Sequence, residues 1–141
     1  MKKLIALLFS LLSMPLLANP MTSNEILLLV HQVNLLQNQA MLRQSTQADV
    51  DALFALYSAD FSYVHHKHGG VYSREHLYRN INKAISHKLF KNAEARYVIE
   101  SILPGENAAA VRRFEQTGAK GQHLSLFEFA DGKVKRITEY W

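Results

Sequence analysis

Three histidines fall within four positions of the stretch FSYVHHKHGG, residues 61–70, just ahead of a Gly-Gly. Imidazoles at that density could ligate a metal, supply a general base near neutral pH, or stand in a solvated turn. The alternation of the stretch separates them. Period-2 geometry puts Phe61, Tyr63 and His65 on one face, and Ser62, Val64 and His66 on the other. His68 falls in the turn. A zinc site wants three or four ligands converging within about 2.1 Å of one point. His65 and His123 could converge across a sheet, but no third ligand is evident, so no metal is expected. Were its face to line a pocket, His65 could serve as a general base. It has no obvious acidic orienter, although Glu139 and Glu100 could approach it.

The elements that must position these residues follow from periodicity and caps. Thr22 and Glu25 have capping-box spacing. Ile26, Leu29, Val30, Val33 and Leu36 then recur at helical spacing, predicting a helix to about Arg43. Leu27, Leu28 and Leu35 widen that stripe, so cover on more than one side is expected. Thr46 and Asp49 open a second helix with Val50, Leu53, Phe54 and Tyr57 on its apolar stripe. Residues 61–66 read as a strand and Val71-Tyr72 as a short return strand. Ser73 caps a third helix over 74–87, with Leu77, Ile81 and Ile85 on its buried face. Strands follow at 95–103, 108–117, 122–130 and 133–141, with Asp131-Gly132 the strongest hairpin signal. Helices followed by strands predict an α+β fold, with the helices on one face of a curved antiparallel sheet.

Composition bounds the function classes. The opening residues MKKLIALLFSLLSMPLLANP have a basic start, an apolar run from Leu4 to Leu12 and a plausible cleavage residue at Ala18. They read as a secretory signal peptide over residues 1–18, leaving one domain over 19–141 in a periplasm or outside the cell. No membrane association is expected after its removal. The chain has no cysteine, which excludes disulfides, thiol chemistry and lipid attachment at a leader cysteine. Losing Lys2 and Lys3 takes two of the 16 basic residues away against 12 acidic ones, so the net charge falls from +4 to about +2. Such a balance, without a basic run, gives no ground for nucleic-acid binding.

Three stretches carry a family resemblance: LFALYSADFSYVHH (53–66), GGVYSREHLYRNI (69–81) and FEFADGKVKRITEYW (127–141). In this order they resemble the NTF2-like superfamily, in its SnoaL-like and ketosteroid-isomerase-like branch. The resemblance implies a cone: a sheet curled around a pocket that helices close on one side. It also implies site residues. His65 stands where the isomerases carry their aspartate base, and Tyr57 matches the tyrosine that supports their oxyanion hole. Ser125 replaces their second acid, and Met41 falls at their principal tyrosine. Arg112 takes an apolar pocket position, while Ile137 and Trp141 match pocket residues near the C-terminus. Without those acids and that tyrosine, ketosteroid isomerisation by the isomerase mechanism is not expected.

The pocket that follows would hold His65, Arg112, His123 and Ser125 among Tyr57, Phe61, Tyr63, Ile137 and Trp141. A buried guanidinium needs an acidic partner or an anionic ligand. Arg112 therefore suggests a carboxylate, phosphate or phenolate on the ligand. Alternatively Arg112 pairs with Glu100 or Glu115, or a β-bulge turns Arg113 inward instead. The expected function is binding of a small anionic or aromatic molecule, with no cofactor. The alternatives are a cofactor-independent lyase or isomerase with His65 as base, and a dimeric interaction module with a vestigial pocket. The resemblance allows a homodimer through the sheet.

Overall fold

The computed structural model describes residues 20–67, 69–118 and 120–140. The signal-peptide expectation and Trp141 lie outside them. Three helices, α1 (Ser23–Ala40), α2 (Gln47–Ala55) and α3 (Arg74–Ser86), pack on one six-stranded sheet. Its strands are β1 (Tyr57–His65), β2 (Gly70–Ser73), β3 (Tyr97–Gly105), β4 (Ala108–Glu115), β5 (Gly121–Ala130) and β6 (Lys133–Tyr140). The spatial order is β2-β1-β6-β5-β4-β3.

The sheet is mixed rather than wholly antiparallel. β1 runs parallel to β6, and every other pair is antiparallel. Register shifts interrupt three pairings, at Tyr57/Ser62, Ile99/Ser101 and Glu128/Phe129. An extra residue on one strand bends it and increases its twist, which lets a sheet curve around its contents. The result is an α+β cone, helices on the concave side.

Local chemistry sets the helix starts. Thr22 Oγ1 accepts from the Glu25 backbone at 3.3 Å, and Glu25 accepts from the Thr22 backbone at 2.7 Å. Both satisfy donors that a helix start leaves open. α2 ends at Ala55, two residues short of the end of its expected apolar stripe. Tyr57 opens β1 instead of closing the helix, because an apolar residue at the fourth position fits a helix face and a strand start equally well. Leu28 and Leu35 are exposed, so α1 is covered on one side only. Between β5 and β6, Asp131 and Gly132 take φ of 51° and 71°, the paired left-handed conformation of a two-residue hairpin turn.

The core lies between α1, α2 and the concave sheet face. Ile26, Val30, Val33, Val50, Val111, Val134 and Ile137 are fully buried there. Leu77, Ile81 and Ile85 pack α3 against this core from its rim. The convex face carries Leu103, Phe114, Leu124 and Leu126, all exposed.

Candidate functional site

A cavity of about 220 Å³ opens between the end of α1, α2, α3 and the concave sheet face. Met41, Leu53, Phe54, Phe61, Leu77 and Ile81 supply its apolar wall. Aromatic contacts stiffen that wall. Tyr57 stacks on Phe61 with ring centroids 4.0 Å apart, and Phe54 meets Tyr57 edge-on at 5.2 Å. α3 is tied to α2 through Tyr78, whose hydroxyl donates to Asp51 at 2.6 Å.

The remaining wall is polar and is organised around Arg113. Its side chain is 1% exposed. It pairs with the Glu139 carboxylate, donates to Gln37 Oε1 at 2.7 Å, and reaches Ser125 Oγ at 3.3 Å. Its guanidinium lies 4.4 Å from the centre of the Tyr97 ring. A second pair stands beside it: Arg96 Nε donates to Glu115 Oε1 at 2.8 Å, and His123 Nε2 lies 3.3 Å from Glu115 Oε2. Two buried carboxylates thus answer two arginines. Ion pairs this dry persist only when hydrogen bonds offset their lost hydration, and here both terminal nitrogens of Arg113 are engaged while its Nε has no acceptor among the described residues.

Asn38 explains how α1 holds this wall in place. Its amide donates to the Tyr97 carbonyl at 2.8 Å and accepts from the Tyr97 and Arg96 backbone nitrogens at 2.8 and 3.0 Å. One buried side chain therefore fixes the start of β3 and the residues whose side chains line the cavity.

Burial tunes the titrating groups. It pushes the Tyr97 phenol up to about 12, with the Glu139 charge adding. It raises the Tyr63 phenol strongly, helped by the charge of Glu139 and by a hydrogen bond to it. Tyr57 is raised by burial against the hydrogen bond from Gln37. All three remain phenols, able to donate, at neutral pH. Desolvation holds His123 below 6.5, outweighing the pull of Glu139 and Glu115, so its neutral form dominates at neutral pH.

The expected site residues divide. Tyr57, Phe61 and Tyr63 line the cavity. Arg112 does not. It points to the convex face, 55% exposed, and pairs with Glu100 at 3.1 Å. β4 alternates without interruption, so Val111, Arg113 and Glu115 face inward while Arg112 and Phe114 face outward. Ser125 and His123 face inward and are buried, but they sit behind the cavity wall as partners of Arg113 and Glu115. Ile137 is a core residue away from the cavity. His65 also faces inward and is buried, its ring 6.1 Å from Tyr63, yet it does not line the cavity. His66 lies on the convex side, stacked on Tyr140 at 4.5 Å. Among the described residues, no group of three His, Cys, Asp or Glu could hold a metal ion.

Gln37, Arg96 and Tyr97 are not singled out by the sequence, and Leu53, Phe54 and Ile81 read there as buried helix positions and not as cavity wall. The sequence leaves Arg112 and Arg113 open, because apolar residues stand at both parities of β4. No pattern marks Arg96 and Tyr97 either, whose placement depends on long-range contacts such as the clamp from Asn38.

No protein-family profile matches the chain, and no curated protein matches it. Solved structures do. An NTF-2 like protein of unknown function from Burkholderia xenovorans LB400 superposes with a TM-score of 0.62 at 18% identity, over 83% of this chain and 82% of that one. A SnoaL-like protein of unknown function from Burkholderia thailandensis E264 gives 0.64 at 15% identity, over 86% and 98%. A hypothetical protein of ketosteroid isomerase-like fold from Catenulispora acidiphila DSM 44928, in complex with trimethylamine, gives 0.54 at 15% identity, over 74% and 82%. The chain has the NTF2-like fold. At these identities the likeness speaks for the fold alone, and this fold hosts many functions.

Proposed function

We propose that this is an exported binding protein whose cone pocket holds one small, flat, largely apolar molecule such as a single aromatic ring. The observation that carries the reading is the cavity itself: about 220 Å³, walled by Leu53, Phe54, Phe61 and Ile81 and closed by the polar cluster at Arg113. A dry apolar cavity of about 150 Å³ suffices for benzene, so this one has room for an aromatic ring with a short substituent. Concave, mostly apolar sites with a few convergent polar groups are the usual form of a small-molecule site. The leader-like opening MKKLIALLFSLL supports the reading that this binding takes place outside the cytoplasm.

Binding is favoured over base catalysis by His65. A general base must come within hydrogen-bond reach of the proton it removes, and His65 does not line the cavity. A homodimer through the convex face is a compatible second property, because Leu103, Phe114, Leu124 and Leu126 are exposed together there. Native mass spectrometry of protein purified from the periplasm tests both. The expected spectrum shows an added small mass that disappears on mild unfolding. The bare chain mass alone would count against a tightly held ligand, and a strictly monomeric spectrum at high concentration would count against the dimer.

A further inference from the structure

Beyond the pocket reading and independently of it, we infer that the C-terminal turn of α3 docks on an anionic lipid bilayer. Leu89 is its apolar tip, and Lys83, Lys88 and Lys91 are its contacts to headgroups. The Leu89 backbone donates to the Ala84 carbonyl at 2.9 Å, and the Lys88 backbone to the Ile85 carbonyl at 2.9 Å. Lys88 takes a φ of 52°. These are the two bonds and the left-handed residue of a Schellman turn. Such a turn ordinarily seats the side chain at the position of Leu89 against the end of the helix. Here the residue it would meet is the small Ala84, and Leu89 stays 61% exposed. Lys91 Nζ donates to the Lys88 carbonyl at 2.8 Å, and His87 Nδ1 lies 2.8 Å from the Lys83 carbonyl oxygen. A hydrogen-bonded turn therefore holds Leu89 outward.

The charges around Leu89 are of one sign. Between Glu75 and Glu94 the chain has no acidic residue. Lys83, Lys88 and Lys91 are exposed, and none of the ion pairs of the described residues includes them. On the sheet, by contrast, Arg112, Arg113 and Arg136 each have a carboxylate partner. Arg43, exposed on the connection between α1 and α2, adds a fourth cation, its backbone donating to the Asn92 carbonyl at 2.8 Å. Shape then selects the partner. Ser86, His87, Lys88 and Leu89 are exposed in succession, which makes a projection and not a groove. A peptide binds along a groove or a sheet edge. A bilayer receives a projecting apolar side chain at its acyl boundary and sets its phosphates against the flanking cations. No helix among the described residues is long and apolar enough to cross a membrane, so the contact is peripheral. It departs from the expectation that the mature chain stays off membranes.

The test is co-sedimentation of the purified mature protein with vesicles. Vesicles of equal parts phosphatidylglycerol and phosphatidylcholine are compared with pure phosphatidylcholine. Each is run at about 0.1 M and about 1 M salt, between which the screening length falls from about 10 Å to about 3 Å. The wild type is expected to bind the anionic vesicles at the lower salt, to bind phosphatidylcholine about tenfold or more weakly, and to lose its preference at the higher salt. Lys83→Gln together with Lys88→Gln should weaken anionic binding about tenfold or more, since each lysine near such a surface contributes about fivefold. Lys135→Gln together with Arg136→Gln removes the same charge from β6 and should leave binding nearly unchanged. Leu89→Ser keeps every charge and should still weaken binding about fivefold, because the apolar tip is lost. Equal binding to the two vesicles, or none at the lower salt, would overturn the inference. Equal losses from the α3 and β6 pairs would also overturn it, assigning the effect to net charge. Unchanged binding in Leu89→Ser would do the same, because a soluble polyanion would then serve as well as a bilayer. The wild-type lipid and salt comparison decides the matter even if a variant does not fold, and a negative result leaves the pocket reading untouched.

Discussion

Arg112 and Arg113 are neighbours in sequence and opposites in the molecule. Arg112 lies on the convex face, half exposed, beside Glu100. Arg113 lies on the concave face, sealed from solvent, with Glu139, Gln37 and Ser125 around its guanidinium and Tyr97 beneath it. Nothing in the side chain itself accounts for the difference. The pleat does: successive residues of a strand face opposite ways, and only one face of this sheet is roofed by helices. A surface ion pair is screened by water and contributes little, whereas a buried one must be matched group for group. The two faces are therefore built on different rules. The outer face tolerates charge anywhere. The inner face admits charge only in pairs, and those pairs shape the cavity.

The sharpest way to break this contrast is to truncate each arginine. Arg113→Ala is expected to destabilise the protein by about 3–5 kcal/mol, because it strands the Glu139 carboxylate. Arg112→Ala is expected to cost no more than about 1 kcal/mol. Urea denaturation of both variants checks this, and equal losses would show that the faces are misassigned. A smaller effect separates the faces through packing. Ile137→Val removes one methylene from a fully buried side chain and should cost about 0.5–1.5 kcal/mol. Leu126→Val on the convex face should fall within about 0.5 kcal/mol of the wild type, and thermal melts of the pair report the difference.

The subtlest contrast concerns pH. His123 is held below its ordinary 6.5 by burial, so the unfolded chain takes up a proton more readily than the folded one. Its contribution to stability is complete above 6.5 and is lost as pH falls through the lowered value. His66, exposed on the other face, has no such burial. Between about pH 7.5 and pH 5, wild-type stability should fall more steeply than that of His123→Gln, the region where histidines change charge. Parallel curves for wild type and His123→Gln would contradict the assignment.

Much of this architecture is legible in the sequence because it is local. Capping spacing marks Thr22 and Thr46, turn chemistry marks Asp131-Gly132, and alternation places Phe61, Tyr63 and His65 on one face. The three quoted stretches suffice for the NTF2-like fold. The site is harder to read because it depends on long-range geometry. Val111-Arg112-Arg113-Phe114 has an apolar residue at each end and an arginine of each parity between them, so the string alone does not say which arginine is inside. The sheet supplies the answer by setting Arg113 opposite His123 on β5, within reach of Glu139 on β6. Likewise His65 has the right parity for the cavity but stands at the end of its strand, beyond the wall. Parity gives a face and not a depth. Arg96 and Tyr97 precede or begin β3 without any pattern, and residues distant in sequence hold them at the site: Asn38 and Asn34 on α1, and Glu115 on β4.

The most direct test of the account is a methyl-resolved NMR titration of the mature protein with acetophenone. The account predicts that the methyl signals of Leu53, Leu77 and Ile81, which line the cavity, shift progressively and saturate. Those of Leu103, Leu124 and Leu126 on the convex face should stay where they are. Shifts confined to the convex-face leucines, or none at the cavity wall, would contradict the claim that the concave face of this sheet is a small-molecule site.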